Sequence, residues 1–398
     1  MTPDFKYTYN FPTPYRFGPG VIAELPAHLK QNNLKRPLIA TDPVVAKLPF
    51  FTKIVDSLKA EGLEPTVFFD IHKNPVKSDV LKGGDVYAEN NCDSVVGIGG
   101  GAAMDVARAI VLRINHRRDL FDYDDLIGGD VYVTEEVPYF ITVPTTCGTG
   151  SEVGRSAIIS EDDTHRKRIL FAPKLLAKIV FADPELTMDL PAFVTAATGM
   201  DALTHNMEAY IAKMYHPICE GIALEGMSVI AQYLERATNS PDLESRTGMM
   251  IGSSMGAIAF QKGLGVVHSL AHPLSTLLDM HHGLANAIMI PYGMKFNIAG
   301  FEDKFERMAR NLGLENATGQ GVVDWLFEMN QKLGLPTKLS DAGVKAEDLD
   351  KLADLAILDF CHPNNPKPVT RKTLGRFTRR LCKLKTKSEK RKNSNRYF

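Results

Sequence analysis

A chain of 398 residues is too long for one ordinary hydrophobic core and comfortable for two, and 44% hydrophobic with 23% charged residues is a globular composition rather than a disordered one. A formal net charge of -1 exerts no global pull toward nucleic acid or an acidic membrane, so partners must be read from local sites. Five scattered cysteines (Cys92, Cys147, Cys219, Cys361, Cys382) form no CxxC pair, which argues against a zinc ribbon or a disulfide framework and fits a reducing compartment. The first twenty residues carry early charge and proline and no apolar core of a signal peptide, and no uninterrupted apolar run reaches roughly eighteen residues. The expectation is a cytoplasmic protein with neither a nucleic-acid nor a membrane partner.

In chain order, short apolar runs rich in β-branched residues come first: RPLIATD (36–42), SVVGIGGG (94–101), PYFITVPTT (138–146) and KIVFADP (178–184). Amphipathic stretches such as FFTKIVDSLKAEG and AAMDVARAIVLRI lie between several of them, and this alternation predicts a parallel sheet covered by helices. After about Pro184 the periodicity becomes helical, as in AFVTAATGMDALTHNMEAYIAK and TGMMIGSSMGAIAFQKGLGVVHSLAHPLSTLLDM, and no convincing strand follows. The predicted architecture is an α/β dinucleotide-binding domain over 1–187 and an all-α metal-binding domain over 188–380. The basic, apolar-poor tail 381–398 buries too little surface to offset its ordering entropy, so disorder is expected there.

Three segments of the first half suit a dinucleotide. GGGAAMD (99–105) follows a strand and opens a helix, so backbone N–H groups and the helix dipole face an incoming phosphate; Gly99, Gly100 and Gly101 permit its close approach. The spacing is not GxGxxG, and a tight strand-to-helix turn would look the same. Asp42 ends IATD, where a carboxylate accepts ribose hydroxyls and repels a 2′-phosphate, favouring NAD over NADP; it equally suits capping a turn before Pro43. In PTTCGTGSEVG (144–154), Thr145, Thr146, Thr149 and Ser151 offer hydroxyls on a flexible loop, whereas Cys147 has no sequence-local base and is given no nucleophilic role.

The second half holds metal-ligand types. Asp201 and His205 stand at i and i+4, so a helix sets both on one face; His268 and His272 repeat that spacing, and His281 and His282 follow. A single histidine in an apolar helix is ordinarily a hydrogen-bonded core residue, but a carboxylate with several imidazoles suits Fe²⁺, Zn²⁺, Co²⁺ or Mn²⁺, and the residue types do not choose among them.

Taken together, IATD, GGGAAMDVAR, PTTCGTGSEV, ATGMDALTHNMEAY, GLGVVHSLAHPL, HHGLANAIMIPYGMKFN and CHPNNPKP resemble the iron-containing (group III) alcohol dehydrogenases over about residues 8 to 375. The resemblance implies a dehydroquinate-synthase-like fold with the active site in the cleft between two domains. It assigns the metal to Asp201, His205, His268 and His282, and a proton-transfer or substrate-contacting role to His272. The nucleotide falls to Asp42, Asn74, Gly99, Gly100, Gly101, Asp105, Thr145, Thr146, Thr149 and Lys167. Ala102 departs from the family's GGGS and Arg108 from a common lysine.

The implied cofactors are NAD, with NADP second, and one divalent metal, Fe²⁺ before Zn²⁺. The implied reaction is reversible oxidation of a small primary alcohol or diol to its aldehyde, with the metal as Lewis acid and His272 passing the hydroxyl proton to solvent. Homodimers or higher homo-oligomers are expected from the family. Two other readings are a dehydroquinate-synthase-like lyase, which needs clustered Arg and Lys for a phosphorylated substrate, and a non-catalytic scaffold that has lost its chemistry.

Overall fold

A computed structural model of the chain describes residues 13–381. The expectation of disorder for 381–398 therefore falls, apart from Leu381, outside the described residues. Eight strands come first: β1 (Tyr15–Phe17), β2 (Pro37–Ala40), β3 (Thr66–Phe68), β4 (Ser94–Gly99), β5 (Tyr139–Pro144), β6 (Ser156–Ser160), β7 (Lys167–Phe171) and β8 (Ile179–Ala182). Six of them form one parallel sheet in the order β1-β8-β5-β4-β2-β3. Every residue of β2, β4 and β8 is buried, as continuous apolar runs require when helices cover both faces of a sheet. The covering helices are α1 (Leu25–Gln31), α2 (Pro49–Ala60), α3 (Lys77–Glu89) and α4 (Gly101–Asn115).

Strand order locates the ligand crevice. From β2 the chain crosses to β3 on one side, and from β4 it crosses to β5 on the other, so connections from these adjacent strands diverge. The gap above their carboxyl ends is the topological switch point, where ligands of open α/β sheets bind. The antiparallel hairpin β6–β7 was not anticipated from sequence. Lys167 and Arg168 break the apolar run of β7, and Arg168 is held by Asp124 and by Glu161 at 2.9 Å.

Among the described residues no strand follows Ala182, and the rest is helical: α5 (Ala192–Ile211), α6 (Pro217–Asn239), α7 (Leu243–Ala259), α8 (Val266–Leu278), α9 (His282–Asn297), α10 (Glu302–Asn311), α11 (Gly319–Lys332), α12 (Leu349–Ala356) and α13 (Arg371–Leu381). Helix α5 is buried on nearly every face and packs against α6, α7 and α9, making it the central post of this half. The helical periodicity running through 247–280 is interrupted: α7 gives way to a 3₁₀ turn, and Gly263, at φ 114°, turns the chain before α8 begins. That glycine also lies against Asn364, where a Cβ would come within 2.8 Å of the Asn364 Cβ. Among the described residues no helix is long and apolar enough to cross a membrane.

Candidate active site

At the switch point, Gly99 ends β4 at φ 150° and α4 starts from Gly100 without a side-chain cap on its first N–H groups. A Cβ on Gly99 would meet the Ala103 Cβ at 2.7 Å, and Asp42 Oδ2, coming from the end of β2, would stand 3.4 Å away. Cβ atoms on Gly100 and Gly101 would meet Thr146 Oγ1 at 3.2 Å and Thr149 Oγ1 at 3.1 Å, and Thr145 N–H donates to the Gly99 carbonyl. The glycine turn, Asp42 and the threonine loop thus form one cradle with bare backbone donors at a helix N-terminus, which fits a diphosphate. Asp42 Oδ1 meanwhile accepts from the N–H groups of Val44 and Val45, so it also caps the turn before Pro43.

Asp105 sits one turn into α4 and has both carboxylate oxygens engaged internally. Oδ1 accepts from Ser151 at 2.8 Å and Arg108 at 3.1 Å, and Oδ2 accepts from Ile158 N–H. The fully buried Arg108 also donates to the Ser151 side chain and to the carbonyls of Ser151, Ser156 and Leu175. Burial pushes the Asp105 carboxyl up and the Arg108 guanidinium down, each opposed by the other's charge. This pair staples α4 to the threonine loop and the hairpin.

Asn74 and Lys167 stand apart from the glycine cradle, lining together a cavity of about 600 Å³. Asn74 donates to Asp279 Oδ1 beyond α8. Burial lowers the Lys167 ammonium, opposed by the charges of Asp359, Asp105 and Asp201, and Ser275, Thr276 and Asp279 of the helical half line the same cavity.

Four expected metal-binding side chains converge from three helices. One ligand atom each of Asp201 and His205 on α5 and of His268 on α8 lie within 4.8 Å of one another. His205 Nε2 is 3.0 Å from His268 Nε2, and His282 Nε2, from the first residue of α9, is 3.5 Å from Asp201 Oδ1. His281 instead packs against Phe193 in a T-shaped contact, ring centroids 6.1 Å apart, so of the adjacent pair it is His282 that lies beside Asp201. His272 stacks on His282 with ring centroids 5.3 Å apart.

Burial holds His205 down at about 4 against the pull of Asp201, and burial with the neighbouring His272 and Lys167 takes His282 well below the usual imidazole range, favouring the neutral rings that ligation requires. For His268 burial also acts downward, but the carboxylates of Glu208, Asp201 and Asp359 together outweigh it. Glu208 Oε2 accepts the His268 Nδ1 proton at 2.7 Å, which leaves the Nε2 lone pair facing Asp201 and His205. One carboxylate with three inward-facing imidazoles fits a single divalent cation.

Sequence reasoning missed Glu208, Asn286 and Asp359. Glu208 completes an i, i+4, i+7 stripe with Asp201 and His205, and that spacing could have found it. Asn286, one turn beyond His282, donates to Asp201 Oδ1 at 2.6 Å and lies 3.1 Å from His282 Nε2 and 3.3 Å from His268 Nε2. Asp359 pairs with His272 Nδ1 at 2.7 Å and has no local signal, because the tertiary fold alone brings it to α8. The loop that holds Cys147 and runs on to Arg155 lines a second cavity only in part. Arg155 lines the cavity with Phe260 and Phe360, but Cys147 is buried away from it and its thiol is pushed up to about 12 by burial and the nearby Glu152.

That cavity, of about 330 Å³, is lined by His205, His268, His272 and His282 from the helical half and by Asp105 and Thr149 from the α/β half, so the histidine cluster and the threonine side of the cradle open onto one space. Comparisons with known proteins agree with this geometry. Residues 12–184 match the model of the iron-containing alcohol dehydrogenases and residues 195–381 that of the C-terminal part of the same family. The 4-hydroxybutyrate dehydrogenase of Cupriavidus necator is 38% identical over 87% of this chain and 92% of its own. A solved 1,3-propanediol oxidoreductase superposes with a TM-score of 0.90 at 30% identity, covering 95% of this chain and 100% of that one. A sulfoacetaldehyde reductase from Bifidobacterium kashiwanohense, solved in complex with NAD⁺, superposes with a TM-score of 0.86 at 25% identity over 96% and 100% of the two chains. With matches to both halves, this chain belongs to the iron-containing alcohol dehydrogenase family.

Proposed function

We propose that this chain is an NAD-linked, metal-dependent dehydrogenase of small primary alcohols or diols, running reversibly as an aldehyde reductase. The observation that carries the reading is the convergence of Asp201, His205, His268 and His282, with the three histidines lining a cavity that Asp105 and Thr149 on the nucleotide side also line. The relatives named for 4-hydroxybutyrate and 1,3-propanediol support a primary alcohol. When bound, a divalent cation, Fe²⁺ before Zn²⁺, supplies Lewis-acid polarisation of the alcohol oxygen, and NAD supplies the hydride acceptor.

The chain's own residues do the rest. Asp201 and the three histidines hold the cation, Glu208 and Asn286 aim them, and the apolar walls at Ile158, Ile169, Phe260 and Leu264 exclude water. With His272 Nδ1 held on Asp359, Nε2 faces the cavity as the group that takes the hydroxyl proton toward solvent. Asp42 reads the adenosine ribose, and Asn74 and Lys167 contribute to the nucleotide side. The division between the two domains is placed at 187/188, and the working protein is a cytoplasmic homo-oligomer.

The lyase alternative lacks support, because Arg155 alone represents Arg and Lys among the described residues lining the cavity, too few for a phosphorylated polyanion. Anaerobic reconstitution with Fe²⁺ or with Zn²⁺, followed by an NADH assay over short alcohols and diols, tests the proposal. Iron-dependent NADH formation is the expected result; no NADH with either metal, or undiminished turnover after exhaustive chelation, rejects it.

A further inference from the structure

The 330 Å³ cavity has three kinds of wall. The histidine cluster occupies one part, Ile158, Ile169, Phe260 and Leu264 make an apolar middle, and Arg155 stands where the cavity adjoins a second one of about 490 Å³. Arg155 lies between the threonine loop and β6 and is half-buried. Its guanidinium rests over the Phe171 ring at 5.4 Å and, among the described residues, has no hydrogen bond or ion pair to an acid. Burial lowers its affinity for a proton with no carboxylate to oppose that.

The acids nearest in the site are otherwise occupied. Asp105 is tied to Arg108, and Asp359 to His272. Asp125 of the outer cavity is raised by burial and by Asp130 and Asp124, with no relief from Arg155. A partly desolvated guanidinium without a counter-ion, facing a ligand cavity, is a fork whose five N–H donors match a planar carboxylate.

We infer that Arg155 binds the carboxylate of an ω-hydroxycarboxylate substrate, so that the preferred alcohol carries an anion at the end remote from its hydroxyl. This rests on the dehydrogenase reading above and narrows it. The methylene chain lies along the apolar middle, the hydroxyl reaches the histidine cluster, and the carboxylate pairs with Arg155. The reaction stays balanced: one C–H bond gives its hydride to NAD⁺, the O–H proton leaves by His272, and the carboxylate is unchanged, so the product is the corresponding aldehyde acid.

The experiment compares 4-hydroxybutanoate with 1,4-butanediol and 1-butanol on the iron-loaded protein, as wild type, Arg155→Met and Arg155→Lys. Wild type is expected to favour the anion, and the ratio of kcat/KM for the anion to that for the diol should fall by about tenfold to about a hundredfold in Arg155→Met, the range for a hydrogen bond to a charged group. Arg155→Lys should recover part of the loss by keeping the charge without the fork. Butanoate, which has no hydroxyl to oxidise, should raise the Tm of the wild type and not that of Arg155→Met.

An anion-to-diol ratio that does not move with Arg155, or equal stabilisation of both proteins by butanoate, overturns the inference and assigns Arg155 to its stacking on Phe171. A change confined to KM for NAD overturns it in favour of a cofactor contact. If the wild type oxidises no alcohol, the dehydrogenase reading fails, and the butanoate comparison still decides whether Arg155 is an anion site.

Discussion

The Glu208 carboxylate binds one residue of α8 in two ways: Oε2 accepts the His268 Nδ1 proton at 2.7 Å and also lies 3.3 Å from the His268 backbone N–H, while Oε1 takes the Val267 N–H at 2.7 Å. One side chain therefore caps the helix that carries His268, a member of the candidate metal cluster, and sets the orientation of that histidine's ring.

Removing it should loosen the metal more than the fold. In Glu208→Ala, affinity for Fe²⁺ or Zn²⁺ is expected to fall by about 10- to 100-fold, the usual effect of losing the partner that orients a ligand. Glu208→Gln, which still accepts a hydrogen bond, should lose less. Competition with a chelator of known affinity gives the numbers, and unchanged affinity in both variants would remove Glu208 from the site.

The Gly99 turn should be intolerant of any side chain. Gly99→Ala places a Cβ 2.7 Å from Ala103 Cβ at φ 150°, and strain of this kind costs about 1–3 kcal/mol. The variant should melt lower than the parent and show a smaller rise in Tm when saturated with NAD. An NAD-induced shift equal to that of the parent counts against placing the diphosphate there.

Asp42 should govern cofactor choice. Asp42→Gly removes a carboxylate standing beside the glycine turn, so the kcat/KM ratio for NADP over NAD is expected to rise. Equal use of both cofactors by the parent would defeat this. Because Asp42 Oδ1 also caps Val44 and Val45, a small loss of stability, about 1 kcal/mol, should accompany the switch.

Arg108→Met should be among the most damaging single changes away from the metal. It strands Asp105 inside the protein without its cation, and breaking a buried pair from one side costs about 3–5 kcal/mol. The double variant Arg108→Met with Asp105→Leu should recover part of that loss. Urea unfolding monitored at Trp325 measures both, and additive losses would show that the two residues are not coupled.

Asp359 makes a pH-dependent contribution. Burial pushes its carboxyl up, but His272, Ser269 and the Cys361 N–H outweigh that and hold it well below its usual 3.8. A depressed carboxyl adds stability that is complete above its unfolded value and is lost as pH falls toward the folded one. The stability difference between wild type and Asp359→Asn should therefore be constant near neutrality and narrow once pH drops below about 4. A difference that widens on acidification contradicts the assignment.

What the sequence determined by itself was whatever depends on neighbours along the chain. The buried strands β2, β4, β5 and β8 were legible as unbroken apolar runs, the Asp201/His205 and His268/His272 pairs as helical spacing, and the cradle as glycines between a strand and a helix. The hairpin β6–β7 was not, because its charged residues satisfy partners far away in sequence. Only the tertiary structure brought His282 beside Asp201 and Asp359 to His272, sealed Cys147 away from the cavity and left Arg155 facing it without an acid. The physical reason is common to all four: a titratable side chain acquires its role from the burial and charge around it, and those are supplied by segments that meet only when α5, α8 and α9 close over the carboxyl edge of the sheet.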